Sequence, residues 1–515
     1  MTSPVFSAGD TAAQTGQPKP FARICAGRKN ARLREASEGT VKVASEDDAD
    51  ALTPAQRQRV LLVCSMTVVC TQLYLNAMNV TLPAIRADLH ASTGELQWSL
   101  NIYALALAAM LMVTGALGDR FGRRRTMIVG MATFTVGTVL AAVAWMPLVL
   151  IVGRGLQGLG ACMLPVISLA VINEVFRDPV ERAKAIGFWN ALLGVGLAAG
   201  PVLAGALVTW VDWRAVFWAP LPLLALTLVG IIREVPESRD ETGRRLDIPG
   251  QILTAILMGA LTYDIISFGE GIFGLREWIM AGIFLAASLG FVWRETHTPW
   301  PMLDFRYFRS VPFVGSLAVM EFVFITHGGF MFVFALYLQL DLGFTPMHAG
   351  LMMLPLALAN TIAAVAAGRI VATGHYRAAF LVAGIGTLLL GVCLLPLNST
   401  GPVALLFVAT TLAGVVLAFT NMPVTNRVLA AMPERQAGVA SATTSTARQI
   451  GMSLGIAGFG AFMNLGVARG LPIHEAAHPA WYITIFLGAT VAVIAVVVTT
   501  GWAHGTAARV RQSLS

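Results

Sequence analysis

Fourteen apolar runs, each long enough to cross a lipid bilayer, decide what this chain can fold into. A helix rises about 1.5 Å per residue, so about 20 apolar residues span about 30 Å of hydrocarbon. Runs of that kind cover residues 60–82, 97–117, 126–146, 148–172, 185–207, 214–232, 250–268, 277–294, 311–339, 348–368, 378–397, 402–424, 438–463 and 480–502. In hydrocarbon every backbone N–H and C=O must be satisfied within the segment, which leaves the α-helix for runs of this length. The expectation is an all-α membrane protein with 14 transmembrane helices. Only 12% of the 515 residues are charged and 56% are hydrophobic, against roughly a quarter charged in soluble domains, which excludes an ordinary soluble enzyme.

Charge placement gives the orientation. Alternate loops hold 18 Lys and Arg, among them Arg120, Arg124, Arg125, Arg177, Arg182, Lys184, Arg244 and Arg245, while the opposite loops hold four, Arg86, Arg214, Arg276 and Arg469. Basic loops stay on the cytoplasmic side during insertion, so both termini are expected there. Residues 1–59 carry nine basic and seven acidic side chains with no apolar core behind them; they read as a disordered cytoplasmic tail without a cleavable signal peptide. The five cysteines, Cys25, Cys64, Cys70, Cys162 and Cys393, form no CxxC pair, so neither a disulfide framework nor a metal site is indicated.

A weak repeat runs through the chain about 250 residues apart. Pro179-Val-Glu181-Arg182-Ala opens the fifth run and Pro433-Glu434-Arg435-Gln-Ala437 the thirteenth, each after a run holding a Met-Pro-Val element at Met163–Val166 or Met422–Val424. Gly118–Arg125 after the second run has an echo at Gly368, Arg369 and Arg377 after the tenth. Repeated halves around a central site are a transporter architecture. The division is a tail at 1–59, a six-helix bundle at 60–232, a linker with inserted helices 7 and 8 at 233–310, a second six-helix bundle at 311–502, and a cytoplasmic tail at 503–515.

The most specific stretch is Gly115-Ala-Leu-Gly118-Asp119-Arg120-Phe121-Gly122-Arg123-Arg124-Arg125, at the join of runs two and three. Its glycines permit a tight turn between helices, Asp119 can pair with an arginine or a helix N-terminus, and the arginines stay at anionic headgroups. Further along come Leu96-Gln97-Trp98 with Tyr103, Arg154-Gly155-Leu-Gln157-Gly158, Gly196-Leu-Ala-Ala-Gly200-Pro201 with Gly205, Asp212-Trp213-Arg214 with Phe217, and Arg448-Gln449-Ile-Gly451. Together these stretches resemble the major facilitator superfamily, and within it the fourteen-span drug:proton antiporters of the EmrB/QacA type. The resemblance implies two six-helix bundles plus two inserted helices. It also implies an exporter in a bacterial inner membrane that exchanges protons for an amphiphilic drug or antibiotic-like compound by alternating access. The Gly200-Pro201 element resembles the antiporter motif, with small residues that let helices approach and a proline that permits bending. By the same resemblance Arg154 assists proton transfer by acting on a nearby carboxylate. The chain departs from the pattern in the first run, where Tyr74 stands in place of a buried Asp and Asn76 in place of a Thr. A phenol ionises near 10 when unperturbed, so Tyr74 is a poor proton carrier, and recognition of multiply charged cations through this run is in doubt.

Other acids lie within the runs. Glu321 sits about ten residues into the ninth, near mid-membrane, where desolvation disfavours the charged carboxylate and suits a group that loads and unloads a proton. Asp264, near the outer end of the seventh, is the second candidate. His327 lies about 240° round the helix from Glu321 and reads as a satisfied bundle histidine. Polar, aromatic and sulfur-bearing side chains expected at the substrate cavity are Asn76, Tyr103, Trp189, Tyr263, Phe322, Phe330, Met331, Tyr337 and Arg448. Gly153-Arg-Gly155-Leu-Gln-Gly158 matches a dinucleotide fingerprint and Gly451-Met-Ser453-Leu-Gly455 a hydrolase elbow, yet both lie inside membrane runs with no strand to present them. No Gly-Lys dipeptide occurs, so ATP is not the expected fuel. No cofactor is indicated. The partners expected are a small amphiphilic substrate, protons and membrane lipids, with a periplasmic adaptor left open. The net charge of +7 follows from arginines at the cytoplasmic face and does not suggest nucleic acid. The rival readings are a proton-independent facilitator or importer on the same fold and a membrane-embedded enzyme; the scattered histidines lack an acid at catalytic spacing.

Overall fold

The computed structural model describes residues 52–239, 247–298, 304–399, 402–433 and 437–514. The expected tail at 1–59 therefore lies outside the described residues up to its last few positions, which already belong to a helix. In chain order the helices are α1 (Pro54–Leu89), α2 (Thr93–Phe121), α3 (Arg123–Ala142), α4 (Pro147–Val175), α5 (Pro179–Trp210), α6 (Ala215–Glu234), α7 (Ile248–Gly269), α8 (Leu275–His297), α9 (Val311–Asp341), α10 (Pro346–Ala372), α11 (Tyr376–Leu394), α12 (Val403–Ala431), α13 (Ala437–Ala468), α14 (Ile473–Val497) and α15 (Gly501–Leu514). Thirteen are long and apolar enough to cross a membrane, and α2, bent by 58° beyond Leu111, makes fourteen. The fourteen-helix expectation holds.

The helices outrun the apolar runs because their ends are capped. Thr53 with Gln56, and Ser92 with Glu95, form capping boxes, each pairing two N–H groups that a helix start leaves unsatisfied. Pro54, Pro147 and Pro179 stand at first-turn positions, where a missing N–H costs nothing. Most of the expected C-terminal tail lies in α15, residues 501–514, whose Thr506 hydroxyl accepts from the Val311 N–H at 3.0 Å, so this segment packs on the start of α9.

Within the first half α1 packs on α4, α5 and α6, and α4 on α2 and α3. In the second half α9 packs on α12, α13 and α14, and α12 on α10 and α11, the same pattern eight helices later. The weak sequence repeat is thus a repeat of helix pairings. Close approach depends on missing side chains: a Cβ on Gly200 would stand 2.7 Å from the Leu73 carbonyl oxygen of α1, and one on Gly451 2.7 Å from the Glu321 carbonyl oxygen of α9.

The inserted pair is asymmetric. Helix α7 lies along the seam between α2 and α13, with Thr262 against Ser453 at 3.4 Å, Asn464 donating to the Gly269 carbonyl at 2.9 Å, and the Glu270 carboxylate accepting from the Gly94 N–H at 3.1 Å. Helix α8 packs on α7 and exposes Trp278, Ile279, Leu285, Leu289 and Trp293, the surface expected of a helix that faces lipid.

Candidate functional site

The polar and charged candidates Asn76, Tyr103, Arg154, Asp264, Glu321 and Arg448 fall on α1, α2, α4, α7, α9 and α13. Arg154 of α4 is fully buried. Its Nε donates to the Ser99 carbonyl of α2 at 3.1 Å, and its Nη1 to Gln157 Oε1 at 2.8 Å and to the Tyr74 carbonyl of α1 at 3.5 Å. The guanidinium lies 4.5 Å from the Tyr103 ring centroid, a cation–π contact. Gln157 passes the chain on to Thr138 of α3 at 2.7 Å. Arg154 Nη2 is buried with no hydrogen-bond partner among the described residues, and no carboxylate pairs with this arginine there. At the position where an acid was expected, Tyr74 turns its hydroxyl away to the Phe217 carbonyl at 3.0 Å and packs its ring between Phe134 and Phe217; its backbone, not its side chain, meets Arg154.

In the second half, Glu321 of α9 is half-buried and makes no hydrogen bond or ion pair among the described residues. Phe324, one turn on, carries Arg448 of α13 at 6.0 Å from its ring centroid, and Arg448 also donates to Ser445 Oγ at 3.5 Å. His327 is buried edge-on to Phe324. Asp264 stands apart, near the end of α7, beside Tyr263, whose hydroxyl donates to Glu277 of α8 at 3.3 Å while Arg276 covers its ring at 5.0 Å. Arg154, Glu321 and Asp264 therefore belong to three separate environments.

The aromatic candidates divide by exposure. Tyr103 lies beneath Arg154, Trp189 donates from Nε1 to Ser168 at 3.1 Å, Phe330 stacks on Phe334 at 4.7 Å, and the Tyr337 hydroxyl donates to the Asn398 carbonyl at 2.7 Å. All four are buried, as is Met331, and they are engaged in helix packing. Asn76, also buried, returns its amide to the Gln72 carbonyl at 2.8 Å and lies against Gly200. Phe322, Tyr263 and Arg448 stay half-buried.

The glycine and arginine loop forms a clamp. Gly122, at φ +99°, occupies the backbone region that favours glycine and joins α2 to α3. Arg123 bonds Glu174 of α4 at 2.5 Å and Asp119 at 3.4 Å, its N–H donates to the Ser238 carbonyl at 2.8 Å, and the Ser238 hydroxyl donates to Glu174 at 2.6 Å. Glu237 accepts from the Arg124 N–H at 3.2 Å and faces Arg125, and Arg124 Nη2 donates to the Ile232 carbonyl. Arg120 lies over Phe121 at 5.4 Å, Gly118 faces Ile167, and Gly115 has open space around it. Glu174, Glu237 and Ser238 were missed in the sequence; acids beside a basic loop were the available signal.

Where the halves meet, α2 packs on α13, α5 on α10 and α1 on α9. Gln97 Nε2 donates to both the Ile456 and Ala457 carbonyls, at 2.8 and 2.9 Å, Gln339 donates to the Val80 carbonyl at 3.0 Å, and the Met347 N–H to Thr209 at 3.0 Å. Gly196 and Gly200 seat α5 on α1, whereas Gly205 meets Pro346 and Met347 of α10, and Gly350 of α10 meets Pro201 and Val202. One stripe of small residues thus serves packing within a half at one end and across the halves at the other. These contacts close the end of the molecule at which α2 begins.

Residues 64–456 match the family model for the Major Facilitator Superfamily. The chain is 34% identical over 405 residues to the multidrug resistance protein Stp of Mycobacterium tuberculosis, covering 78% of this chain and 75% of the relative. It is 31% identical over 430 residues to the tetracenomycin C resistance and export protein of Streptomyces glaucescens (81% and 79%), and 31% identical over 413 residues to the multidrug efflux pump LfrA of Mycolicibacterium smegmatis (79% and 81%). The fold is similar to a crystal structure of the peptide transporter POT in complex with sulfate, with a TM-score of 0.63 at 15% identity over 88% of this chain and 95% of the other. A D-xylose–proton symporter matches at a TM-score of 0.59 and 16% identity, over 85% and 97%. With the fold, the family model and these relatives in agreement, the chain is a multi-pass membrane protein that belongs to the major facilitator superfamily.

Proposed function

We propose that the chain is a secondary active exporter in a bacterial cytoplasmic membrane, with both termini in the cytoplasm, which expels an amphiphilic antibiotic-like compound in exchange for protons by alternating access. The observation that carries this reading is the similarity to proteins named for drug resistance and export along three-quarters of the chain. No ATP is required: about 100 mV supplies about 2.3 kcal/mol per charge and one pH unit about 1.4 kcal/mol, so one proton supports a cargo gradient of a few hundredfold.

Glu321 is the proton site in this proposal, supported by its place near the middle of α9 and its lack of a paired cation among the described residues. Asp264, at a helix end, is the lesser candidate, and Arg154 shapes the electrostatics of the first half. In everted vesicles Glu321→Gln is expected to reduce export driven by a pH gradient by about 100-fold or more, which starts at the lower end of the range for a positioned proton-transfer group, at unchanged expression. Full activity of that variant ends the assignment.

A second reading has one observation in its favour: among the described residues Arg154 meets carbonyls, Gln157 and Tyr103 but no acid, which suits a facilitator that moves no protons. Flux that persists unchanged after the proton gradient is dissipated favours that alternative.

A further inference from the structure

Among the described residues, two arginines inside membrane helices have no acidic partner. Arg154 has no carboxylate partner among the described residues, and its Nη2 is buried without a hydrogen bond there. Arg448, 11 residues after the first residue of α13, has Ser445 Oγ at 3.5 Å and the Phe324 ring at 6.0 Å, with no ion pair among the described residues. The acid of α9 at comparable depth, Glu321, pairs with neither arginine. Asp264 and Glu277 lie with Arg276 near the ends of α7 and α8, and Arg427 of α12 is held by the Val498 carbonyl and the Tyr376 ring.

A charged side chain at a helix centre costs about 2.5 to 3.5 kcal/mol on insertion scales, and an arginine is most stabilised by a planar anion that accepts from its fork of N–H donors. The surroundings of Arg448 fit such an anion. Ser441, Ser445 and Arg448 recur at i, i+4 and i+7, which puts two hydroxyls and the guanidinium on one face of α13. All three are at least partly exposed, and Phe324 of α9 supplies an aromatic wall. Arg154 adds a second buried cation with no acidic partner among the described residues, so neither arginine favours a cationic cargo. We infer that the cargo is an aromatic acid, a carboxylate or phenolate, whose anionic group is held by Arg448. This deepens the export reading above and rests on it.

Equilibrium binding of two xanthene dyes with one ring system and opposite charge, fluorescein and rhodamine 6G, tests the inference on the purified full chain in lipid nanodiscs, read by fluorescence anisotropy. Fluorescein is expected to bind at least about tenfold more tightly than rhodamine 6G, and Arg448→Gln to remove about tenfold or more of the fluorescein affinity while strengthening rhodamine 6G binding, because the repelling charge is gone. Arg448→Lys keeps the charge without the planar fork and is expected to lose several-fold; it serves as the test if the glutamine variant does not fold. The inference is overturned if fluorescein does not bind, if rhodamine 6G binds as well or better, or if the substitutions leave fluorescein affinity unchanged. No gradient is present in this assay. Fluorescein bound through Arg448 but never exported would sink the export reading alone, and gradient-driven export of rhodamine 6G without fluorescein binding would sink this inference alone.

Discussion

At the end where α2 begins, the halves touch through neutral groups: Gln97 on two carbonyls of α13, Gln339 on a carbonyl of α1, Thr209 on an amide of α10, and glycines set against backbone. At the opposite end, where α2 joins α3, charge does the joining, and Arg123, Arg124 and Arg125 tie α2, α3, α4 and the segment after α6 into one half through Glu174, Glu237 and Ser238. The difference separates a joint from a brace. Neutral hydrogen bonds contribute about 0.5 to 1.5 kcal/mol each, so the four across the seam amount to roughly 2 to 6 kcal/mol, a quantity that the roughly 3.7 kcal/mol of one proton crossing 100 mV and one pH unit can oppose. The brace joins helices of one half and crosses no such seam.

Three substitutions press on this contrast. The largest effect is expected from Gly350→Val, whose added carbons run into the backbone of Pro201 and Val202. The protein should fold, but spin labels on α5 and α10 should report a wider seam, and transport should fall to background. An unchanged distance means that α10 can yield and the joint is softer than described. Gln97→Ala comes next: losing both donations to α13 should destabilise the closed seam by about 1 to 3 kcal/mol, enriching the opened population about tenfold or more by the same labels. A distance distribution identical to the parent's would place the joint elsewhere. Smallest is Glu174→Gln. The Arg123 and Glu174 side chains are 20% and 34% exposed, so solvent screening holds the pair to about 1 kcal/mol; thermal unfolding should shift slightly while the seam distances stay put. A large seam change there would show that the brace also acts as a joint.

The number of helices was legible because hydrocarbon thickness and helix rise fix the length of each apolar run. The repeat was legible too, since two short echoes near the fifth and thirteenth runs survive where equivalent helices begin. The ends of the helices were not, because capping by Thr53 and Ser92 extends α1 and α2 past the apolar stretch, and α15 buries Ala503, Thr506 and Val510 in a segment too polar to count as a span. Arg154 stood out as a charge in an apolar run, yet its partners did not, because Ser99, Tyr74 and Gln157 reach it by three different routes and two of them by backbone oxygen. The packing partners of Tyr103 and Trp189 were not legible either, because residue type does not reveal which face of a crowded helix a ring occupies.

Gln97 spends both amide hydrogens on two consecutive carbonyls of α13, and a Cβ on Gly460 would press on that same amide. Were the seam to part, those two oxygens and the glutamine would lose their partners together in otherwise oily surroundings, and such groups do not stay dry. Any parting of the halves at this spot would therefore admit water to it.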